Sequence, residues 1–354
     1  MRCETTNRSD EILAKGSDFV PTAFNPPKEA VSWQSAMKRA VRDSDELHRL
    51  LGLSIGTRVE SVSNGCSTKT SAEKAFPVFV PREFLARIEP GNPEDPLLRQ
   101  VLPVFAEDVE TPGFVSDPVD DLASVAARGL LHKYEGRALI ITTGACGIHC
   151  RYCFRREFPY SETGSRAASW QPSLDYLRDR SEIEEVLLSG GDPLTLTDEK
   201  LAELLGALEE IPHVRRLRIH SRMPVVIPQR VTESLIHRLA ESRLAVWFVI
   251  HANHPQELDD NVLRRIARLI DAGLPVLNQA VLLRGVNDDV ETLAALCRKL
   301  VNHRVQPYYL HQLDRVQGAA HFEVPVEEGK RLVASLRDLL PGYAVPVDVV
   351  EEPG

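Results

Sequence analysis

Residues 138–156 read ALIITTGACGIHCRYCFRR, an apolar run that passes directly into a loop with three cysteines. The run at 138–143 has the β-branched composition and the length of a buried strand. The cysteines follow at once with the spacing C-x3-C-x2-C. Residues 138–156 are therefore predicted to form a strand that ends in a chemically reactive loop, and the rest of the chain can be searched for further strands of this kind.

The same kind of unit, a short apolar strand followed by an amphipathic helix, occurs six times between residue 138 and the C-terminal region. The strand segments are 138–143, 186–188, 217–219, 246–250, 276–283 and 308–310. Strands that alternate with helices favour parallel pairing with right-handed crossovers. Six units fall short of the eight in a closed barrel, so the sequence predicts an α/β fold with a partial (β/α)6 TIM-type barrel. A doubly wound open sheet is the alternative.

Chemically capable side chains come just after each predicted strand. They are Cys146; Ser189, Gly190, Gly191 and Asp192; His220, Ser221 and Arg222; His251, Asn253 and His254; Arg284; and His311 with Asp314. The carboxyl ends of parallel strands are where β/α enzymes assemble their sites. We therefore expect these residues to converge on one mouth of the barrel.

Composition excludes several other classes of protein. The formal net charge is −9 with no long run of one sign, which argues against a general nucleic-acid binder. The longest apolar stretch, 244–250, is too short to span a bilayer, so no membrane partner is expected. The N-terminal residues are charged and polar and lack the apolar segment of a secretory signal. A cytoplasmic location is the expectation.

The pattern divides the chain into four parts. Residues 1–32 are polar and are predicted to be disordered, and 33–134 form an N-terminal, mostly helical extension. Residues 135–340 form the barrel, and 341–354 form a C-terminal tail.

Three of the six cysteines are scattered, at Cys3, Cys66 and Cys297. Cys297 falls on the apolar stripe of a predicted helix, so we expect it to be an inert buried thiol. The six do not resemble a disulfide framework. In a reducing cytoplasm a tight cysteine cluster is better explained by a metal site.

Cys146, Cys150 and Cys153 offer three soft thiolates on one loop. A structural zinc site normally takes four nitrogen or sulfur ligands, whereas a [4Fe–4S] cubane held by three cysteines leaves one iron without a protein ligand. Such an iron could chelate a small molecule. Three buried thiols, or a zinc knuckle completed by His149, are the alternatives.

The C-x3-C-x2-C loop after the first barrel strand resembles the signature of radical S-adenosylmethionine enzymes. Further segments resemble lysine 2,3-aminomutases: CRYCFRR at 150–156, SGGDP at 189–193, RIHSR at 218–222, NQ at 278–279, LLRGVND at 282–288 and PYY at 307–309. Three more resemble the bacterial enzymes of the elongation factor P β-lysylation pathway: GNPEDPLLRQ at 91–100, LLHKY at 130–134 and RVQGAAHF at 315–322. The resemblance covers roughly residues 33–354.

The resemblance implies an isomerase that converts L-lysine to β-lysine. In this family a [4Fe–4S] cluster binds S-adenosylmethionine and cleaves it to a 5′-deoxyadenosyl radical, and the lysine is held as an aldimine of pyridoxal 5′-phosphate. An electron donor such as flavodoxin or ferredoxin is implied. The motif for activating lysine with ATP is absent, so a separate ligase would attach the product to elongation factor P. The sequence is compatible with a homo-oligomer and does not specify the oligomeric state.

The resemblance also implies roles for individual residues. Cys146, Cys150 and Cys153 would hold the cluster. The residues implied for S-adenosylmethionine are Ser189, Gly190, Gly191, Asp192, Arg222 and His251. Arg155 would bind the substrate carboxylate, with Asp314 and Glu351 on its distal ammonium, although by pattern alone Arg155 and Arg156 are a solvated basic pair. The residues implied for pyridoxal phosphate are Lys133, Arg137 and Gln279.

One expected residue has no counterpart. The family's Schiff-base lysine follows the stretch that corresponds to VPVDVVEEPG at 345–354, and the last lysine here, Lys330, lies in a predicted amphipathic helix. The expectation is that both the binding of pyridoxal phosphate and the turnover suffer. Either the chain is truncated, or it has lost efficient aminomutase activity. A radical enzyme without an efficient pyridoxal step and a non-catalytic iron–sulfur protein are the alternatives to an aminomutase.

Overall fold

The computed structural model describes residues 31–53, 71–161 and 170–351. Nine strands form one sheet in which each strand pairs with its neighbours along the chain. They are β1 (Val125–Ala127), β2 (Leu130–Tyr134), β3 (Arg137–Thr143), β4 (Glu185–Gly190), β5 (Arg216–Ser221), β6 (Ala245–His251), β7 (Val276–Val281), β8 (Gln306–His311) and β9 (Val347–Val349). The predicted disorder of 1–32 falls almost wholly outside the described residues, as do Cys3 and Cys66.

The strand order identifies the fold as a partial barrel. Strands β3 to β9 are all parallel, and β1 and β2 add an antiparallel edge. A doubly wound sheet reverses its strand order at a switch point, and this sheet does not reverse. Within the described ranges no pairing joins β9 back to the first strands. The α/β partial TIM-type barrel is confirmed, with the open sheet excluded.

Two features of the predicted outline need correction. The segment 33–134 is not mostly helical to its end, because β1 and β2 lie within it. The segment 341–354 contributes β9, whose Val347 pairs in parallel with Tyr309 of β8. Strands of three to five residues carry too few positions to show a period of two, so the sequence pattern did not reveal them.

The helices cover the outside of the sheet and the N-terminal region. They are α1 (Trp33–Lys38), α2 (Ser44–Leu51), α3 (Ser71–Ala75), α4 (Arg82–Leu85), α5 (Pro96–Arg99), α6 (Gln171–Arg178), α7 (Asp198–Glu209), α8 (Met223–Val226), α9 (Glu233–Ala240), α10 (Asp260–Asp271), α11 (Val290–Asn302) and α12 (Val326–Leu339). Four of the barrel helices, α7, α9, α10 and α11, begin at side-chain caps: Thr197 accepts from Lys200 N–H, for example, and Asp289 accepts from Thr292 N–H. No helix in the part of the chain described here is long and apolar enough to cross a membrane.

Alternation along the strands decides which side chains reach the site. In β4, β5 and β7 every second residue is buried, and the apolar ones among them join the core with the buried faces of the helices. The intervening residues face the barrel interior. Cys297 is buried on α11 as predicted, and burial raises its pKa to about 12.

The N-terminal helices share this core rather than forming a separate one. Leu47 of α2, Phe84 of α4 and Leu97 of α5 belong to the same buried cluster as the barrel residues. The Arg87 guanidinium also donates a hydrogen bond to Val225 O at 2.7 Å. The N-terminal region is thus packed onto the barrel beside the cysteine loop.

Candidate active site

The cysteine loop begins where β3 ends, at the carboxyl end of the parallel strands. Cys146, Cys150 and Cys153 are free thiols that lie within electrostatic range of one another. Burial, and then the neighbouring thiols, raise the pKa of Cys146 well above its usual value and that of Cys153 to about 11. Stable thiolates here therefore need a positive partner, and a bound iron cluster supplies one.

A single metal ion does not suit this loop. In the described ranges no three His, Cys, Asp or Glu side chains are grouped as ligands of one ion. One zinc ion draws its thiolates to within about 4 Å of each other, whereas a cubane carries each cysteine on a different iron. His149 is held elsewhere: its Nδ1 donates to Pro77 O at 2.7 Å, and its ring stacks on Phe76. The donor set favours the cluster over a zinc knuckle.

A buried carboxylate ties the cysteine loop to the N-terminal region. Glu107, in the 3-10 turn Phe105–Asp108, accepts from Arg151 at 2.6 Å and from Arg156 at 2.8 Å, and all three side chains are buried. The sequence pattern alone suggested that Arg156 is a solvated base, and the structure shows instead that its side chain is buried against Glu107. Sequence reasoning missed Glu107, because nothing in the pattern distinguishes it from its acidic neighbours.

The glycine turn after β4 packs its backbone directly against the cysteine loop. The N–H of Gly191 donates to Thr143 O and that of Asp192 donates to Ala145 O, both at 2.7 Å. Gly190 has a φ of +119°, and a Cβ there would lie 2.6 Å from Thr143 O. A Cβ on Gly191 would overlap the carbonyl of Ala145. The two glycines let two backbone segments meet at the mouth.

The carboxylate of Asp192 is saturated by donors from the protein. One oxygen accepts from Leu194 N–H at 2.9 Å and from the Ser221 hydroxyl at 2.7 Å. The other accepts from Arg222 N–H at 2.8 Å and from Met223 N–H at 3.1 Å. These bonds use all four acceptor sites of the group. Asp192 therefore holds the ends of β4 and β5 together, and the geometry makes it a positioning residue.

The guanidinium of Arg222 points at the cysteine loop. It donates to Cys150 Sγ at 2.7 Å, to Gln100 Oε1 at 2.7 Å and to Glu257 Oε2 at 2.8 Å. Burial disfavours its charged form, but Cys150, Tyr152 and Glu257 outweigh burial and raise its pKa well above the usual value. Sequence reasoning did not single out Gln100 or Glu257 as site residues.

Three histidines lie on the ends of β5, β6 and β8 around the barrel interior. The rings of His220 and His251 are 6.3 Å apart, and Gln279 Nε2 donates to His251 Nε2 at 2.6 Å. Burial, then Arg222 and His311, lower the pKa of His251 to about 3, and burial lowers that of His220 well below the usual value. These lowered pKa values favour the neutral imidazoles of His220 and His251 near pH 7. His220 Nε2 is buried and has no partner among the described residues, so it is available to a bound group.

A charged group forms the other wall of the mouth. Arg155 Nε donates to Asp121 Oδ2 at 2.7 Å, and Arg155 Nη1 donates to Ser189 Oγ at 3.1 Å. Lys133 Nζ lies 3.0 Å from Asp121 Oδ1. Burial opposes ionisation of Asp121, but Arg155 and Lys133 outweigh it and lower its pKa. Asp121 was not predicted, and the acidic stretch at 117–121 was its only sequence signal.

Two further acids face this group. Burial, then Glu351 and Asp121, raise the pKa of Asp314 to about 7. Glu351 accepts from the Tyr134 hydroxyl at 3.2 Å. Arg155, Asp314 and Glu351, all predicted from separate segments, thus belong to one electrostatic group.

Residues 140–297 match the Radical SAM superfamily. The chain is 46% identical to the L-lysine 2,3-aminomutase of Escherichia coli (strain K12), over 92% of this chain and 93% of that protein. It is 44% identical to that of Haemophilus influenzae over 90% and 92%, and 39% identical to that of Clostridium subterminale over 79% and 68%. The chain belongs to the lysine 2,3-aminomutase family. It is accordingly a radical S-adenosylmethionine enzyme of the isomerase class.

Lysine 2,3-aminomutases use a [4Fe–4S] cluster, S-adenosylmethionine and pyridoxal phosphate. The site has thiols for the cluster and polar groups beside it, whereas Lys330, the last lysine, pairs with Glu327 on the exposed face of α12. The three thiols fit the cluster. The close-packed turn at Gly190 and Gly191 lies directly beside the cysteine loop, with the N–H of Gly191 already bonded to Thr143 O. The neutral imidazoles and the unpartnered His220 Nε2 offer polar contacts to an aromatic cofactor in the barrel interior.

Within this aminomutase site, the three residues implied for pyridoxal phosphate have different surroundings. Lys133 pairs with Asp121. The guanidinium of Arg137 instead lies over the Tyr134 ring, 3.9 Å from its centroid, and its charge acts against the effect of burial, which raises the pKa of Tyr308. Gln279 lies among the histidines. The structure does not bring Lys133 and Arg137 to a shared partner.

For an aminomutase we expect Gly191→Ala to lower the rate of S-adenosylmethionine cleavage at least tenfold. The added Cβ must displace the Ala145 carbonyl and with it the cysteine loop. The rate of 5′-deoxyadenosine formation measures the effect in protein matched for iron content. Gly206→Ala, at a helical glycine with open space around its Cβ position, is the control and should behave like wild type. Equal rates in the two variants would show that the close packing at Gly191 is unimportant.

Proposed function

We propose that this chain is an L-lysine 2,3-aminomutase that makes β-lysine for the modification of elongation factor P. The observation that supports it best is the charge arrangement at the mouth. A guanidinium, Arg155, and two acids, Asp314 and Glu351, lie in one group, and they match an amino acid with a carboxylate at one end and an ammonium at the other. The likeness to the Escherichia coli enzyme over almost the full length of both chains adds to this.

In this proposal Cys146, Cys150 and Cys153 hold the cluster and leave one iron open. The cluster and S-adenosylmethionine supply one-electron chemistry when bound, and pyridoxal phosphate supplies the delocalisation that lets an amino group migrate between adjacent carbons. The protein's own contribution is orientation. Asp121 accepts a hydrogen bond from Arg155 Nε, and Ser189 accepts one from Nη1, so the plane of the guanidinium is fixed. The edge formed by its two terminal nitrogens is then directed toward the substrate carboxylate.

The ionisation of Asp314 gives the proposal a pH signature. Only the carboxylate form attracts the substrate ammonium, and with a pKa of about 7 the ionised fraction rises from about one tenth at pH 6 to about nine tenths at pH 8. The lysine ammonium stays protonated across this range. The KM for L-lysine should therefore fall roughly tenfold from pH 6 to pH 8.

The matched variant is Asp314→Asn, which should raise the KM and remove most of this pH dependence. The charged groups that act on Asp314 are Glu351, Asp121, Arg155 and Lys133. They are unchanged in Asp314→Asn, so a difference in pH dependence between this variant and wild type reports the titration of Asp314. A profile in Asp314→Asn as steep as in wild type would assign the titration to another group.

The central test supplies iron, sulfide, S-adenosylmethionine, a reductant such as dithionite or flavodoxin, pyridoxal phosphate and L-lysine without oxygen. Both β-lysine and 5′-deoxyadenosine are measured, for the chain as it stands and for a form extended past Gly354 with a lysine-containing tail. L-norleucine, which lacks the distal ammonium, is the control substrate and should give no β-amino product. If both forms produce deoxyadenosine but no β-lysine, the assignment of the cluster stands and the assignment of L-lysine as substrate is wrong.

The link to elongation factor P is tested in cells. Deletion of the gene should remove the lysyl modification from elongation factor P, and added β-lysine should restore it if a separate ligase carries out the attachment. Unchanged modification in the deletion strain would exclude this pathway while leaving the aminomutase proposal in place.

A further inference from the structure

A group of buried polar side chains lies directly behind Cys150. We call it the Cys150 network and define it as Gln100, Tyr152, Arg222, Asn253 and Glu257. Gln100 and Glu257 are fully buried, and Arg222 is 6% exposed. A buried ion pair is usually no more stable than apolar residues of the same volume. Stability therefore gives no sufficient reason for placing charges here.

The contacts of the network fix Arg222 against the sulfur. Its Nη1 donates to Cys150 Sγ at 2.7 Å, while its Nη2 donates to both Gln100 Oε1 and Glu257 Oε2. The other oxygen of Glu257 accepts from Asn253 N–H at 2.9 Å and from Gln100 Nε2 at 3.2 Å. Glu257 thus accepts hydrogen bonds from protein donors on both oxygens. Because its carboxylate is fixed, the Arg222 guanidinium is held with Nη1 directed at Cys150 Sγ.

The second layer is equally well ordered. Asn253 Nδ2 donates to Tyr152 Oη at 2.7 Å and to Gln100 Oε1 at 3.0 Å. Asn253 Oδ1 accepts from Val281 N–H at 2.9 Å, which connects the network to the end of β7. Residues from the N-terminal region, the cysteine loop and the ends of two strands therefore converge on one thiol.

Such a network has a predictable electrical effect on a cluster bound through Cys150. Reduction adds an electron, so a nearby cation favours the reduced state and a nearby anion opposes it. Hydrogen bonds to the sulfur ligands also raise the potential. The low dielectric of a buried site strengthens both effects. Arg222 and Glu257 should therefore act with opposite signs.

We propose that Arg222 and Glu257 are positioning residues that together set the reduction potential of the cluster through Cys150. The inference rests on the proposed assignment of Cys150 as a cluster ligand. It also gives Arg222 a different task from the S-adenosylmethionine contact that the sequence predicted. Both terminal nitrogens of its guanidinium already donate to protein acceptors, and only its buried Nε has no partner among the described residues.

The experiment uses the full chain, reconstituted with iron and sulfide under anaerobic conditions. Arg222→Gln, Glu257→Gln and the double variant are titrated with reductant, and the reduced cluster is followed by electron paramagnetic resonance. At a fixed poise, the ratio of reduced to oxidised cluster should fall about tenfold in Arg222→Gln and rise about tenfold in Glu257→Gln, each a shift of about 59 mV for one electron. The double variant should lie near wild type.

The matched controls come from a second arginine–glutamate pair, Arg238 and Glu209, which joins two outer helices at 2.8 Å. Arg238→Gln and Glu209→Gln should leave the potential unchanged. Equilibrium binding of S-adenosylmethionine is measured for all variants and should stay close to wild type. A strong loss of that binding in Arg222→Gln with an unchanged potential would overturn the proposal in favour of a direct contact.

Shifts in the same direction for Arg222→Gln and Glu257→Gln, or no shift in either, would also overturn it. If Arg222→Gln assembles no cluster, Glu257→Gln decides alone, since only a raised potential agrees with the proposal. If neither assembles a cluster while the controls do, the network serves assembly and the proposal fails. A wild-type chain that holds no cluster would instead contradict the assignment of the cysteines, and the absence of β-lysine bears on neither result.

Discussion

Replacing Cys150 with Ala is expected to abolish the formation of 5′-deoxyadenosine. The substitution removes one of three thiolates, and three are the minimum that leaves a single open iron in a cubane. It also leaves Arg222 buried without the acceptor that it contacts at 2.7 Å. The iron and sulfide content per chain, the spectrum of the reduced cluster and the yield of deoxyadenosine should all be lost together.

Cys297→Ala is the matched control for this prediction. Cys297 is a buried thiol on α11 and lies apart from the cysteine loop, so the variant should keep its cluster and its deoxyadenosine yield. Deoxyadenosine at the wild-type level in Cys150→Ala would show that the loop is not the cluster site.

Glu107→Gln is expected to cause a large loss of stability. It leaves the guanidinium groups of Arg151 and Arg156 buried without their shared counter-ion. Removing one partner of a buried ion pair typically costs about 3–5 kcal/mol in the free energy of unfolding. Both arginines lie in the cysteine loop, so cluster occupancy should fall as well.

Denaturant unfolding of the apoprotein measures this effect, and iron content measures its consequence for the loop. Glu327→Gln is the control, because Glu327 pairs with Lys330 on the exposed face of α12. It should unfold like wild type, since exposed ion pairs contribute little. A Glu107→Gln protein as stable as that control would mean that Arg151 and Arg156 find other partners.

The barrel could be predicted because its signal is repeated and periodic. Each strand–helix unit carries an apolar run and a helix with one apolar face, such as Leu201, Leu204, Leu205 and Leu208 on α7, all of which are buried. The strand-end residues follow from this frame, since parallel strands end on one side. Arg155, Asp314 and Glu351 could be grouped in advance only through the family resemblance.

The residues that were missed share a different origin. Gln100 and Glu107 come from the N-terminal region, and Asp121 comes from the loop before β1. They reach the site through tertiary packing, and a lone acid or amide in a loop carries no periodic signal. Glu257 follows β6 but lies in a short turn, where it resembles an ordinary helix cap. The roles of Asp192 and Arg222 also required coordinates, because their partners lie far away in sequence.

The strand order has a consequence for how the protein is made. Each barrel strand pairs with the strand synthesised just before it, so the sheet can extend during translation without waiting for distant segments. Gln100 and Glu107 leave the ribosome before the cysteines, whereas Arg222 and Glu257 follow them. The contacts of the cysteine loop with the N-terminal region can therefore form early, but the Cys150 network is complete only after Glu257 has been synthesised. A cluster inserted before that point would lack the hydrogen bond from Arg222 to Cys150.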